Sequence, residues 1–294
     1  MNSEFIANIK AIYGYQGDEW LSTLPAVVKR LRSLWNLDSI EIVKDLTYNY
    51  CFFAKRSDGQ KVVAKIACDS KQHSKEVLAL KSFASGAPKI IEIDAHSNAY
   101  LMERFAPGDS AKAYVQAGND DEATRIVARS IAQLKRNGNV DGFMHLSAFI
   151  PSLDLLKDRI PLRSFEKLRT TFFDLTSDRA ADVVLHGDLH HGNVLSHGSR
   201  WLAIDPQGYL GHPVAEIGAM IRNPWDAFPS DKPLREIIDR RIRILNEELS
   251  FDIQLMNAWA HCITALSEVW SIQDQGAGHS VDMEMFSTLE SRIQ

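Results

Sequence analysis

Cysteine is scarce in this 294-residue chain: Cys51, Cys68 and Cys262 are odd in number and far apart. That scatter argues against a disulfide framework and gives no zinc-ligand spacing; reduced thiols point to a cytoplasmic protein. Long apolar runs are missing as well, none approaching the roughly 20 residues of a membrane span. The opening MNSEFIANIKAIYGY lacks the basic flank and apolar stretch of a secretory signal. Positive charge is short too: 33 Lys and Arg stand against 38 Asp and Glu, a formal net charge of −5. Such a balance gives no general basic surface for nucleic acid, whose binding rests on neutralising phosphates. Repeats and low-complexity tracts are absent. The expectation is a cytoplasmic monomer with neither nucleic acid nor membrane as partner.

What is present is an ordinary globular composition, 45% apolar and 24% charged, in a chain long enough for one large domain or two lobes. DEWLSTLPAVVKRLRSLWNL carries apolar residues at helical spacing, with Pro25 expected in the first turns. Short β-rich runs follow: SIEIVKDL, YCFFAKR and KVVAKIA, the last two joined by a turn at Asp58-Gly59. DSKQHSKEVLALKSF reads as a helix capped by Asp69 or Ser70, and PKIIEID and NAYLMERF as two more strands. Past APGDS helical patterns dominate, and the convincing strands of this half lie within residues 183–208. The expected fold class is α+β with two lobes: a small antiparallel sheet with one key helix over residues 1–105, a hinge near Phe105 to Gly108, and a larger helical lobe over 106–294. A cleft between two such lobes is where a small molecule is expected to bind.

The densest chemistry is VVLHGDLHHGNVLSHGSRWLAIDPQG, residues 183–208. If NVLSH and RWLAID form a hairpin centred on Ser199, Asn193 and Asp205 oppose each other at its open end, about 5 Å apart. An amide oxygen beside a carboxylate is half of an octahedral oxygen site of the kind magnesium prefers. Asp188, on the loop entering the first strand, can overhang that site as a general base. The set matches a phosphoryl-transfer arrangement, which also needs a strand lysine paired with a helix glutamate. Lys65, the one polar side chain inside VVAKIA, needs a partner for its charge, and Glu76 in SKEVLAL offers one.

HGDLHHGNVL, LAIDPQGYLGHP, WLSTLPAVVKRLRSLWNL and LMERFAPGDS together resemble the aminoglycoside phosphotransferases, a protein-kinase-like family, and within it the streptomycin 6-phosphotransferase and hydroxyurea-resistance kinase branch. The resemblance spans most of the chain. It implies a two-lobed kinase fold, with ATP and Mg2+ as cofactors and Asp188 as catalytic base. Asn193 and Asp205 would hold magnesium. Lys65, oriented by Glu76, would meet the α/β-phosphates, and the segment Met102, Glu103, Arg104, Phe105 to Ala106 the adenine. Two departures stand out. DLTYNYCFF has no glycine, so Thr47 or Asn49 with backbone amides must cover the phosphates. Glu216 in GHPVAEIG occupies a place where the family carries aspartate, which puts the bracing of the catalytic loop in question.

Bland readings compete at several positions. His186, His190 and His191 with Asp188 could form a zinc hydrolase site, though His186 reads better as a loop brace bonded to backbone. A nucleotide-binding pseudokinase is the other non-transferase reading. Trp201 is expected beside the hairpin core, and Trp259 and Trp270 read as core before substrate platform. Residues 244–291 hold eight carboxylates and neither Lys nor Arg. An acidic rim there, with Glu268, Asp274 and Trp270 as candidate contacts, would concentrate a polycation. The expected activity is therefore ATP- and magnesium-dependent transfer of a phosphoryl group to a hydroxyl of a small cationic acceptor, an aminoglycoside such as streptomycin. A housekeeping kinase of a metabolite alcohol or amino alcohol is the alternative.

Overall fold

The computed structural model describes residues 3–44, 46–228, 232–275 and 280–293, with side chains described throughout except at 274, 275 and 280–282. The chain divides into two compact units, residues 1–81 with 88–105, and residues 82–87 with 106–294.

The first unit opens with α1 (Ser3–Leu34), which is two helices joined at Gly14, where φ is 53°. Pro25 lies well inside the second piece, not in its first turns as the sequence suggested. Ser22 and Thr23 hydroxyls donate to the carbonyls of Glu19 and Trp20 in the turn before it. Then come β1 (Leu37–Ile42), β2 (Tyr50–Arg56), β3 (Lys61–Ile66) and α2 (Ser70–Ser82). After β4 (Phe83–Ser85), which belongs to the other unit, β5 (Ile90–Asp94) and β6 (Ala99–Glu103) complete a five-stranded antiparallel sheet of order β1-β2-β3-β6-β5. Alternation in β2 puts Tyr50, Phe52 and Ala54 inside, where they join Phe5, Ile9, Leu24 and Leu31 of α1 in one core.

The second unit is mostly helical. Its elements are β7 (Pro107–Ser110), α3 (Lys112–Gln116), α4 (Asp120–Gln133), β8 (Lys135–Arg136), β9 (Met144–His145), α5 (Leu162–Ser177) and β10 (Val183–Leu185). They are followed by β11 (Val194–His197), β12 (Arg200–Ala203), β13 (Tyr209–Gly211), α6 (Ile217–Arg222), α7 (Leu234–Leu249), α8 (Ile253–Gln275) and α9 (Ser280–Glu290). Strands are thus not confined to 183–208. β7, β8, β9 and β13 add short pieces of two to four residues, too short for a periodic signal. They exist because partners hold them: β7 pairs with β11, β13 joins β10 to β9, and β4 pairs with β8. The segment 82–87 therefore leaves the first unit, a division that a single cut at 105/106 does not capture. At the centre of the second unit α8 packs on α5, α6, α7 and α9. Trp259 and Leu266 of α8 are fully buried. Among the described residues no helix is long and apolar enough to cross a membrane.

Candidate active site

In the first unit, Lys65 sits on β3 between Cys51 of β2 and Tyr100 of β6. Its Nζ lies 2.5 Å from Glu76 Oε1 on α2, and the two residues are 3% and 2% exposed. Tyr100 donates its hydroxyl to the same Oε1 at 2.8 Å. A buried ion pair persists only where hydrogen bonding compensates its lost hydration. The lysine that the apolar strand pattern singled out is thus pinned by the glutamate expected for it.

The segment from Met102 to Phe105 closes this sheet. Met102 and Phe105 are buried. The Glu103 carboxylate accepts the Lys89 amide at 2.9 Å, and the Arg104 guanidinium lies 3.6 Å over the Phe53 ring. The amides of Glu103 and Arg104 donate to the carbonyls of Lys89 and Lys61. These two side chains and amides therefore serve the sheet. Thr47 is exposed and Asn49 half-buried, both in the irregular link before β2; the Thr47 carbonyl accepts from Asn8 at 3.3 Å.

In the second unit, β10 delivers the chain to His186, Gly187 and Asp188. His186 is fully buried; Nε2 donates to the Ile204 carbonyl at 2.8 Å, and Nδ1 accepts the Asp188 amide at 3.4 Å. Burial pushes its imidazole down to about 4, so the ring is neutral and the donor–acceptor assignment holds. Both nitrogens are engaged within the loop, as its bracing role requires. Among the described residues no three His, Cys, Asp or Glu side chains are grouped as a metal site. The zinc hydrolase reading loses its ligands.

Glu216 settles the departure noted above. Its buried carboxylate accepts the His186 amide with both oxygens, at 3.0 and 3.1 Å. Glutamate at this position braces the loop directly. Burial raises its carboxyl to about 7. Gly187 has a φ of +78°, and a Cβ there would stand 2.6 Å from Tyr209 Cδ2, so the turn before Asp188 demands glycine.

Asp188 keeps 32% of its side chain exposed. Asn193 donates Nδ2 to the Asp188 carbonyl at 2.9 Å and to its Oδ2 at 3.3 Å. His190 Nε2 stands 3.7 Å from the same Oδ2. Packing raises the Asp188 carboxyl above the ordinary carboxylate range; the neighbouring His190 and Arg222 pull it down, and Asp205 pushes it further up. Two carboxylates that feel each other's charge form a natural place for a cation.

The hairpin register differs by one from the expectation. His197 pairs with Arg200 and Val194 with Ala203, so the turn is Gly198-Ser199 and Asn193 faces Ile204, whose amide donates to the Asn193 carbonyl at 2.9 Å. A one-residue shift would ordinarily turn Asp205 to the other face. Here the strand has ended, and Asp205 adopts a left-handed φ of 61°, rare for a residue other than glycine. Such backbone strain persists where surrounding structure enforces it, often at functional sites.

Three carboxylates of the acidic stretch 244–291 have separate surroundings. Glu248 is ion-paired with Arg129 at 2.9 Å and lies 3.8 Å from Arg125; Asp252 caps α8 through the Leu255 amide; Glu268 is buried at 5% exposure. Carboxylates spread along helices face whatever each helix turn faces. Asp274 falls in the last turn of α8, its side chain outside the described residues. Trp270 is half-buried and stacks on Tyr209, centroids 6.2 Å apart at 12°, and Phe149 meets both rings edge-on at 5.3 and 5.6 Å. Trp201 is half-buried and edge-on to Tyr114. Phe149 and Tyr209 escaped the sequence reading; the position of Tyr209 just after DPQG was its one signal. Arg222, at the end of α6, was missed as well.

A family model for aminoglycoside/hydroxyurea antibiotic resistance kinases matches residues 47–150 and 173–276, more than half of the sequence. The chain belongs to this family. It is a phosphotransferase. Streptomycin 6-kinase of Streptomyces glaucescens is 25% identical over 92% of this chain and 90% of its own length. Streptomycin 3''-kinase of Klebsiella pneumoniae is 32% identical over 60% of this chain and 68% of its own. Among solved structures, a choline/ethanolamine kinase family protein from Mesorhizobium loti superposes with a TM-score of 0.64 at 14% identity, covering 94% of both chains. The aminoglycoside phosphotransferase APH(4)-Ia, in a ternary complex with ADP and hygromycin B, gives 0.60 at 15% identity over 91% of this chain and 96% of that one. These likenesses establish the protein-kinase-like fold.

Proposed function

We propose that this kinase transfers the γ-phosphoryl group of ATP to a hydroxyl of a small cationic acceptor, an aminoglycoside of the streptomycin type, with magnesium as the metal. The observation that carries the reading is the state of Asp188: a carboxylate of raised basicity, oriented by Asn193 and carried on a loop braced by His186 and Glu216. The donor set suits magnesium. Asn193 commits its Nδ2 hydrogens to Asp188, leaving its amide oxygen as a hard ligand, and Asp205 adds a carboxylate. Lys65, held by Glu76, is the cation for the α/β-phosphates. The backbone of 102–106 is the candidate for the adenine, and Thr47 and Asn49 for covering the phosphates.

When bound, ATP supplies the phosphoryl group and magnesium offsets the charge on its phosphates. Asp188 then orients the acceptor hydroxyl. With Oδ2 held by Asn193, Oδ1 takes the hydroxyl proton as the oxygen becomes nucleophilic. His190 Nε2 stands 3.7 Å from that Oδ2.

The test is ATP consumption by purified protein, with and without magnesium, across aminoglycosides that include streptomycin and across metabolite alcohols and amino alcohols. Mass spectrometry of the product locates the phosphorylated hydroxyl. Transfer to an aminoglycoside that stops on magnesium removal is the expected result. A preference for a neutral alcohol or a simple amino alcohol would overturn the acceptor class and leave the phosphotransferase standing.

A further inference from the structure

The aromatic trio of the second unit stands against the catalytic loop. Tyr209 lies flush on Gly187, the residue before Asp188, at a distance only glycine allows. Asp188's charge also reaches the Tyr209 phenol, which burial and that charge together push up to about 12. Tyr209 is nearly buried, whereas Phe149 and Trp270, which contact it, each keep part of their surface open.

Rings elsewhere in the protein already have a cation from the chain itself, as Arg104 over Phe53, Arg169 over Phe165 and Arg241 over Phe228. Among the described residues no Lys or Arg lies over Phe149 or Trp270. The sequence from 244 to 291, which carries Trp270, has neither lysine nor arginine to provide one. An aromatic face attracts a cation within about 6 Å of its centroid, more strongly when water is partly excluded.

We propose that Phe149 and Trp270, seated on Tyr209, form the acceptor's cation subsite, taking an ammonium or guanidinium group onto their open faces while the hydroxyl meets Asp188. The subsite deepens the functional reading above and rests on it for the hydroxyl's place. It locates the recognition of positive charge in half-buried rings, since Glu248 is already paired with Arg129 and Asp252 caps α8. Specificity then depends on ring faces: a leucine of similar apolar character cannot replace them.

Two measurements test this. In the first, acceptor KM is compared for the wild type, Trp270→Phe and Trp270→Leu with a cationic acceptor. The leucine variant should raise KM about tenfold, and more than it raises ATP KM, with phenylalanine within about threefold of wild type. Equal KM for the two variants would overturn the proposal.

The second measurement needs no transfer. Tetramethylammonium chloride should quench tryptophan fluorescence saturably where sodium chloride at the same concentration does not. The quenched signal should vanish in Trp270→Phe, which identifies the reporter. It should shift to about tenfold higher concentration in Phe149→Leu, which retains that reporter. Identical responses to the two salts would overturn the subsite whatever the enzyme phosphorylates. Saturable quenching in a protein that phosphorylates no acceptor would support the subsite and overturn the functional proposal.

Discussion

In the role proposed for Asp188 two requirements meet, since a base must be ionised to act yet basic enough to take a proton. Its surroundings raise the carboxyl, so the acid limb of kcat/KM should lie above the ordinary carboxylate value of about 3.9. Activity should fall as pH drops through that limb. Asp188→Asn keeps the shape and loses the base; turnover should fall roughly 10²-fold or more while ATP still binds in equilibrium dialysis. Wild-type turnover in that variant would remove Asp188 from the chemistry. The two residues behind it give a pH signature of opposite signs. Glu216 is raised to about 7, so folding favours its proton, and its contribution to stability falls as pH rises from about 4.3 to about 7. His186 is lowered to about 4, so its contribution rises as pH climbs from about 4 to about 6.5. The two slopes oppose each other. Relative to wild type, Glu216→Gln should make the urea midpoint climb more steeply between pH 4.5 and 6.5, and His186→Asn should tilt it the other way. Parallel curves for all three proteins would show that neither group titrates on unfolding.

Elements act through pairing. Lys65 on β3 and Glu76 on α2 are mutual conditions for burial, so removing one partner leaves a charge without its counterion at a cost of about 3–5 kcal/mol. Lys65→Met combined with Glu76→Gln should therefore unfold at higher urea than Lys65→Met alone, though both are inactive. Additive losses in that double-mutant cycle would contradict the coupling. This ion pair was legible because each element announces itself locally: alternation marks β2 and β3, and the only polar residue within VVAKIA is the one that pairs with Glu76. The hairpin was legible in type but not in register. Its two-residue turn, Gly198-Ser199, moves every pairing by one, and the left-handed backbone at Asp205 leaves no mark in the sequence. The strands β7, β8, β9 and β13 and the Phe149–Tyr209–Trp270 contact were not legible, since they are made by neighbours distant in sequence. The expected acidic rim is a case of the converse: within a run uniform in one dimension, Glu248 turns to arginines, Asp252 to a helix cap and Glu268 to the interior.

For the whole molecule, ligand binding should appear as stability. ATP with magnesium at about 100 times its Kd adds roughly 2.7 kcal/mol to the folded state, which is several degrees in Tm for a chain of this size. Chelation with EDTA should remove most of that shift. Asn193→Ala and Asp205→Ala should each abolish the metal-dependent part, and the double variant should lose little more. Full shifts in both single variants would exclude the shared site. The return of residues 82–87 to the second unit bears on how this protein could be taken apart or recombined. A fragment ending at Phe105 carries β4 away from β8, leaving a strand edge bare with the apolar Phe83 beside it, a surface that invites aggregation. Chimeras with relatives would meet the same problem in milder form. An exchanged N-terminal half brings a foreign β4 to a resident β8, so the crossover that respects the architecture swaps 1–81 and 88–105 and leaves the six residues between them with the host.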